Sequence, residues 1–263
     1  MEIRDRLAGV RGFLLDMDGT FYLGGHILEG SLAFLQKLRE TGRTALFLTN
    51  NSSRSGAAYV EKLRGMGVRE PFLRVLTSGQ AAGRYALAHH AGQKPYVLGN
   101  AELRAELLSM GVPHEEARPD YVLVGYDTTL DYARMTRVCD LVRAGLPYVA
   151  THPDFNCPTE TGFAPDIGAI CAFIEASAGR RPDVVIGKPH CGIVAEALRE
   201  TGLAAGELAM VGDRLYTDIA TGRNFGMVSI LVLTGEATLA DVETSPVKPD
   251  LIFPFLSAMI EHL

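Results

Sequence analysis

The chain has few cysteines, no long apolar run and no surplus of positive charge. Each scarcity removes a class of protein. The four cysteines among 263 residues, Cys139, Cys157, Cys171 and Cys191, lie far apart, with no Cys-x-x-Cys pair and no zinc-like Cys/His spacing. They read as reduced thiols rather than a disulfide or metal framework. No apolar stretch is long enough to span a bilayer. The amino terminus, Met1-Glu2-Ile3-Arg4-Asp5-Arg6, has no apolar signal core, which makes the cytoplasm the expected location. A formal net charge of −6 disfavours nucleic acid or an anionic membrane as the main partner. Low-complexity tracts and solenoid repeats are also missing. What remains is 47% hydrophobic and 21% charged, a soluble globular composition long enough for one large domain or two smaller ones.

The densest chemical signal is Phe13-Leu14-Leu15-Asp16-Met17-Asp18-Gly19-Thr20. Three apolar residues suit a strand buried on both faces of a parallel sheet, and they deliver Asp16 to its carboxyl end, where open α/β sheets bind ligands. Side chains alternate along an extended segment, so Asp16 and Asp18 share a side and repel unless a cation lies between them or one is protonated. Oxygen ligands favour a hard cation such as Mg²⁺. The competing reading is an Asx-turn that closes the strand, with Gly19 present only for the turn.

Strand-like and helix-like segments then alternate. Ser31 to Glu40 reads as a helix with Leu32, Leu35 and Leu38 on one face, stopped by Gly42. Thr44-Ala45-Leu46-Phe47-Leu48 reads as a buried strand, followed by a helix through Val60 and Leu63 to Gly65-Met66-Gly67, then a short strand, Arg74 to Thr77. From about Ser78 to Arg181 the theme repeats, with strands at Tyr96 to Leu98, Tyr121 to Val124 and Tyr148 to Ala150 and helices at Glu102 to Met110 and Asp131 to Ala144. This portion can bury a core of its own and has the character of an inserted α/β domain. Beyond it, Val184 to Lys188, Leu208 to Asp213, Val228 to Leu233 and Leu251 to Phe253 are again strand-like.

Three further polar clusters follow candidate strands. Thr49 and Asn50 offer hydroxyl, amide and backbone donors for phosphate oxygens, or a helix cap. Lys188, in Gly187-Lys188-Pro189, offers a point charge for a phosphoryl group, or is a solvated loop residue. In Gly212-Asp213-Arg214-Leu215-Tyr216-Thr217-Asp218-Ile219, Asp213 can complete a metal site with Asp16. Asp218, five residues later, can hold Lys188 or a metal-bound water, or cap its helix.

In this order, Asp16-Met17-Asp18-Gly19-Thr20, Thr49-Asn50-Asn51, Lys188 and Gly212-Asp213…Thr217-Asp218 resemble the four motifs of the haloacid dehalogenase superfamily. The closer resemblance is to its class IIA phosphatases, the NagD-like and p-nitrophenyl phosphatases. It implies an α/β fold, a Rossmann-like parallel-sheet core over residues 1–78 plus 182–263, with a large inserted α/β cap over 79–181. By the same resemblance Asp16 is the nucleophile that forms a phosphoaspartate and Asp18 the acid and base. Thr49, Asn50, Asn51 and Lys188 bind phosphate, while Mg²⁺ is held by Asp16, the Asp18 backbone carbonyl and Asp213, with Asp218 in support. The implied partner is a small phosphorylated metabolite, a sugar, polyol or nucleotide monophosphate, with p-nitrophenyl phosphate as a laboratory substrate. Neither nucleic acid nor membrane is expected, and a homodimer through the cap is what the resemblance allows.

Gly24-Gly25 reads as a flap or an ordinary turn. Within the insertion, His152 stands where the family often has Asn, Asp166 replaces a frequent Gly, and Cys157 stands where the pyridoxal phosphatase branch tends to have His. The last difference weakens a pyridoxal phosphate assignment. Two other readings use similar residues. A receiver-like module accepts a phosphoryl group without turnover, but it needs neither Asp18 nor an inserted domain. Dehalogenation needs a nucleophilic Asp but not the metal site that Asp18 and Asp213 suggest.

Overall fold

A computed structural model describes residues 2–159 and 162–263 of the chain. Among them the strands run, in chain order, β1 Gly12–Leu15, β2 Tyr22–Leu23, β3 His26–Ile27, β4 Thr44–Thr49, β5 Val75–Thr77, β6 Pro95–Leu98, β7 Tyr121–Val124, β8 Tyr148–Ala150, β9 Asn156–Thr159, β10 Gly162–Pro165, β11 Val184–Val185, β12 Leu208–Gly212, β13 Val228–Val232 and β14 Leu251–Phe253. The chain divides into two compact units. One comprises Met1–Thr49, Ala57–Leu76 and Val194–Leu263; the other comprises Asn50–Gly56 and Thr77–Ile193.

The first unit is built on a six-stranded sheet of order β14-β13-β12-β1-β4-β5. Its central strand β1 is buried throughout and pairs in parallel with β4 on one side and β12 on the other, Leu15 facing Phe47 and Val211. Apolar residues on both faces of β1 let helices cover both sides of the sheet. Phe13 meets Phe34 edge-on at 5.5 Å between ring centroids, and Phe21 meets Phe47 in the same manner at 4.8 Å. Because the pairing is parallel, β1, β4 and β12 all end at one edge, where the strand order reverses: β4 and β5 lie on one side of β1, and the later strands β12, β13 and β14 on the other. The expected helix forms at Ser31–Glu40, but its buried face is Ser31, Phe34, Leu35 and Leu38, while Leu32 is 41% exposed. A 3.6-residue period places position 34, rather than 32, beside 35 and 38.

The second unit has its own parallel sheet of order β11-β8-β7-β6. Tyr96, Val122, Val124, Val138, Tyr148, Ile167 and Ile174 share its core. Two observations change the expected layout. Val184 and Val185 pair with Val149 and Ala150 of β8, so this segment extends the second unit's sheet rather than opening the first unit's return. The second unit also takes in Asn50–Gly56 and runs on to Ile193, wider than residues 79–181. Apolar character identified β11 as a strand but carried no information about its partner. Two hairpins, β2 with β3 and β9 with β10, have strands too short for a periodicity to show. Among the described residues no helix is long and apolar enough to cross a membrane.

Candidate active site

In the first unit, Asp16 follows β1 directly, and its N–H donates to Val211 C=O of β12 at 2.9 Å. The backbone then turns sharply. Met17 C=O accepts from the N–H groups of Phe21 (2.9 Å) and Tyr22 (3.1 Å), and Gly19 takes φ +87°, a left-handed conformation that disfavours any side chain. Gly24, at φ +58°, lies between β2 and β3, so the Gly24-Gly25 pair forms the turn of a short hairpin directly after the motif.

Asp16, Asp213 and Asp218 each place a carboxylate oxygen so that all three lie within 4.8 Å of one another. Asp213 and Asp218 are buried and Asp16 is half-buried. The group is assembled by close backbone approach. A Cβ on Gly235 would lie 2.0 Å from Asp213 Oδ2, and one on Gly212 would lie 2.1 Å from Asp218 Cγ. Asp213 Oδ2 accepts from Glu236 N–H at 2.8 Å, and Thr20 Oγ1 donates to Asp213 Oδ1 at 3.3 Å. Asp218 Oδ2 accepts from Arg214 N–H at 3.1 Å. It sits in the wide helical turn Leu215–Ile219, where Ile219 N–H reaches five residues back to Arg214 C=O; such turns recur at functional sites. Asp218 therefore joins the carboxylates rather than simply capping a helix.

Arg214 is the local counter-charge, with Nε 3.0 Å from Glu236 Oε2. Burial opposes its charge, but Tyr216, Asp16, Asp213 and Glu236 together outweigh that and raise its pKa. Three carboxylate oxygens this close repel one another, and the oxygen donor set fits a hard divalent cation. Asp18 is outside this three-carboxylate group, and its side chain is exposed. Thr49 ends β4 and is buried.

The remaining expected residues belong to the second unit, where they form their own assembly. Asn50 Oδ1 accepts from Lys188 N–H at 2.7 Å, and Asn50 Nδ2 donates to Lys188 C=O at 3.0 Å, a two-way clamp on the lysine's backbone. Lys188 is 2% exposed, which excludes the solvated-loop reading. Asn51 Oδ1 accepts from Ser53 N–H and Oγ at 2.8 Å each, so its oxygen serves an Asx-turn.

Residues 13–113 match the model of the haloacid dehalogenase-like hydrolase family, and residues 185–259 match a second HAD-hydrolase-like model. The chain is 37% identical over 254 residues to the acid sugar phosphatase of Staphylococcus aureus strain MRSA252, covering 96% of this chain and 98% of that protein. Among solved structures it is similar to a 4-nitrophenylphosphatase from Thermotoga maritima, with 45% identity, TM-score 0.94 and coverage of 97% and 98%. The chain belongs to the haloacid dehalogenase-like hydrolases. Its branch is the class IIA, NagD-like phosphatases. A further relative in this group is the glycerol phosphate phosphatase from Mycobacterium tuberculosis in complex with magnesium, 29% identical with TM-score 0.88 over 97% of this chain and 77% of that one.

For this haloacid dehalogenase-like chain, the motif residues were legible in the sequence, but several of their supports were not. Thr234 Oγ1 donates to Gly19 C=O at 2.6 Å, and Gly235 and Glu236 enclose Asp213. Their signal was available, since Thr234-Gly235 follows an apolar strand just as the other polar clusters do. In the other unit, His152, marked in the sequence only as a departure from the family's Asn, is fully buried, with Nδ1 3.7 Å from Asp154 Oδ2 and Nε2 3.4 Å from Asp166 Oδ1. Asp166 also caps the helix Ile167–Ala178, accepting from Ile167 N–H at 2.7 Å.

Proposed function

We propose that this phosphatase is a Mg²⁺-dependent phosphomonoester hydrolase acting on a small phosphorylated metabolite, a sugar, polyol or nucleotide monophosphate, through a phosphoaspartate on Asp16. The observation that carries this reading is the three-carboxylate group of Asp16, Asp213 and Asp218 beside the exposed Asp18. Relatives described as acting on sugar, nitrophenyl and glycerol phosphates support a small phosphate ester, and the magnesium complex of one of them supports the metal.

Asp16 attacks phosphorus, so that an Asp16 Oδ–P bond forms as the P–O bond to the leaving group breaks. Asp18, protonated, gives its proton to the departing oxygen. In the second half-reaction Asp18 takes a proton from water, whose oxygen attacks the same phosphorus. The Oδ–P bond breaks, releasing inorganic phosphate and restoring both carboxyl groups. Bound by Asp16, the Asp18 carbonyl and Asp213, with Asp218 in support, Mg²⁺ would offset the repulsion between carboxylate and phosphate. Thr49, Asn50, Asn51 and Lys188 bind the phosphoryl group, Lys188 as a point charge, Thr49 through its hydroxyl and Asn50 and Asn51 through backbone donors, the Asn50 amide being engaged by Asp154 and Lys188. The second unit supplies substrate specificity.

The test is hydrolysis of p-nitrophenyl phosphate by the purified protein. Turnover should vanish with a chelator and return with Mg²⁺, while Asp16→Asn should be inactive yet folded. Undiminished hydrolysis by Asp16→Asn would remove the nucleophile assignment, and a single phosphoryl transfer without turnover would favour a receiver-like module.

A further inference from the structure

The second unit contains a buried polar chain that the proposed reaction does not use. His152 lies at its centre with no solvent exposure, and Asp154 and Asp166 are 5% and 4% exposed. Asp154 N–H donates to His152 Nδ1 at 3.4 Å. With Nδ1 as acceptor, the neutral ring carries its proton on Nε2, which lies 3.4 Å from Asp166 Oδ1. On the far side of the Asp154 carboxylate, Asn50 Nδ2 donates to both oxygens at 3.2 Å. The same amide group clamps the Lys188 backbone through both of its polar atoms. The path from His152 to Lys188 is therefore continuous: imidazole, Asp154, Asn50, lysine backbone.

The surrounding backbone leaves little freedom for another arrangement. Gly187 N–H donates to Thr151 C=O at 2.7 Å, and a Cβ on Gly187 would lie 2.5 Å from Asn50 Oδ1 and 2.8 Å from His152 Cβ. Buried polar groups are costly unless satisfied, and the bonds from Asp154 through Asn50 to the Lys188 backbone hold this arm in one geometry.

We propose that His152 is a positioning residue: by fixing the Asp154 turn it orients the carboxylate that holds Asn50, and Asn50 in turn sets the backbone from which Lys188 reaches the phosphoryl group. This rests on the reading of Lys188 as the phosphate-binding cation. The arm toward Asp154 carries the effect, whereas the arm toward Asp166 only ties the loop to the start of the helix Ile167–Ala178.

Two substitutions separate the arms. Asn at 152 places an oxygen near the Nδ1 position and restores an acceptor for Asp154 N–H as an Asx-turn does; Gln extends to the Nε2 position and serves only Asp166. The measurements are kcat and KM for p-nitrophenyl phosphate, the inhibition constant of inorganic phosphate, and Tm. His152→Asn should stay within about threefold of the parent in all kinetic terms, while His152→Gln should weaken phosphate inhibition and raise KM by about tenfold, as expected for a lost charge-oriented contact. If the two variants lose phosphate affinity equally, or only in proportion to Tm, the proposal is overturned. Should His152→Gln not fold, Asp154→Ala against Asp166→Asn makes the same comparison. Ala at 154 removes the acceptor for Asn50 Nδ2, whereas Asn can still cap the helix at 166, so only Asp154→Ala should lose phosphate affinity. Lys188→Ala distinguishes the two levels. If it leaves phosphate inhibition unchanged, the reading of Lys188 and this proposal both fall; if it abolishes inhibition while the arms prove equivalent, only the positioning proposal falls.

Discussion

The two units use the same architectural rule with opposite chemistry. Each is a parallel sheet whose polar residues follow the carboxyl ends of its strands: Asp16 after β1 and Asp213 after β12 in one, His152 after β8 and Lys188 after β11 in the other. The first unit gathers three carboxylates, with the Arg214 guanidinium among them as counter-charge. The second gathers the His152 imidazole, the Asn50 amide and the Lys188 backbone, with its acids engaged by hydrogen bonds from Asn50 and Ile167. The contrast separates two kinds of preorganisation. Gathered carboxylates are suited to holding a cation, whereas a hydrogen-bonded polar network fixes geometry.

The comparison can be broken first at Asp16. Asp16→Asn should lower kcat for p-nitrophenyl phosphate by at least about 10³-fold, because the nucleophile is lost, while Tm stays within a few degrees. Equal activity would mean that the charge in the first unit is structural. The next effect is at Asp18. Asp18→Asn should cost about 10²-fold or more with alkyl phosphates and much less in the first half-reaction with p-nitrophenyl phosphate, whose leaving group needs little proton donation. A loss of pre-steady-state product release that is independent of leaving-group pKa would remove its role as acid.

A smaller effect sharpens the contrast by moving one carboxylate. In Gly235→Ala, the added Cβ would meet Asp213 Oδ2 at 2.0 Å, so the half-saturating Mg²⁺ concentration should rise by about tenfold. Titration of activity with Mg²⁺ checks this, and an unchanged curve would show that Asp213 is not a ligand.

The least dramatic test concerns Asp250, an acid in the first unit that is paired rather than gathered. It accepts from Ser229 N–H (3.0 Å), Ser229 Oγ (2.8 Å), Arg6 (2.9 Å) and Arg223 (2.8 Å). Burial opposes its charge, but the Ser229 bonds and the two guanidinium groups outweigh it and lower the pKa. The contribution to stability is therefore complete above the unfolded carboxyl pKa, about 3.9, and disappears as pH falls through the lower folded value. Denaturant unfolding should show Asp250→Asn less stable by roughly 1–3 kcal/mol at neutral pH, with the gap closing in acid. A gap independent of pH would contradict the charge assignment.

Much of this contrast was readable from the chain, and the reasons are unequal. β1, β4 and β12 were legible because strands buried on both faces require unbroken apolar runs, and Asp16, Thr49 and Asp213 were legible because polar residues end those runs. Lys188 was legible as a motif but not as a buried residue, since its burial depends on tertiary surroundings. The sheet that receives Val184 and Val185 was hidden for the same reason. The His152 network was the least accessible, because Asn50, Asp154 and Asp166 are far apart in sequence and only His152 to Asp154 is local. Sequence thus revealed the charged edge of the first unit more fully than the hydrogen-bonded network of the second.

The central claim is that Asp16 carries the phosphoryl group during turnover. Asp18→Asn with p-nitrophenyl phosphate and Mg²⁺ tests it most directly, because a good leaving group permits the first step while the missing base slows the second. After an acid quench and digestion, mass spectrometry should find one phosphoryl group on the peptide containing Asp16, labile in base and absent when Asp16→Asn is added. Release of p-nitrophenol with no phosphoryl group on that peptide, or with one at another residue, would contradict the account.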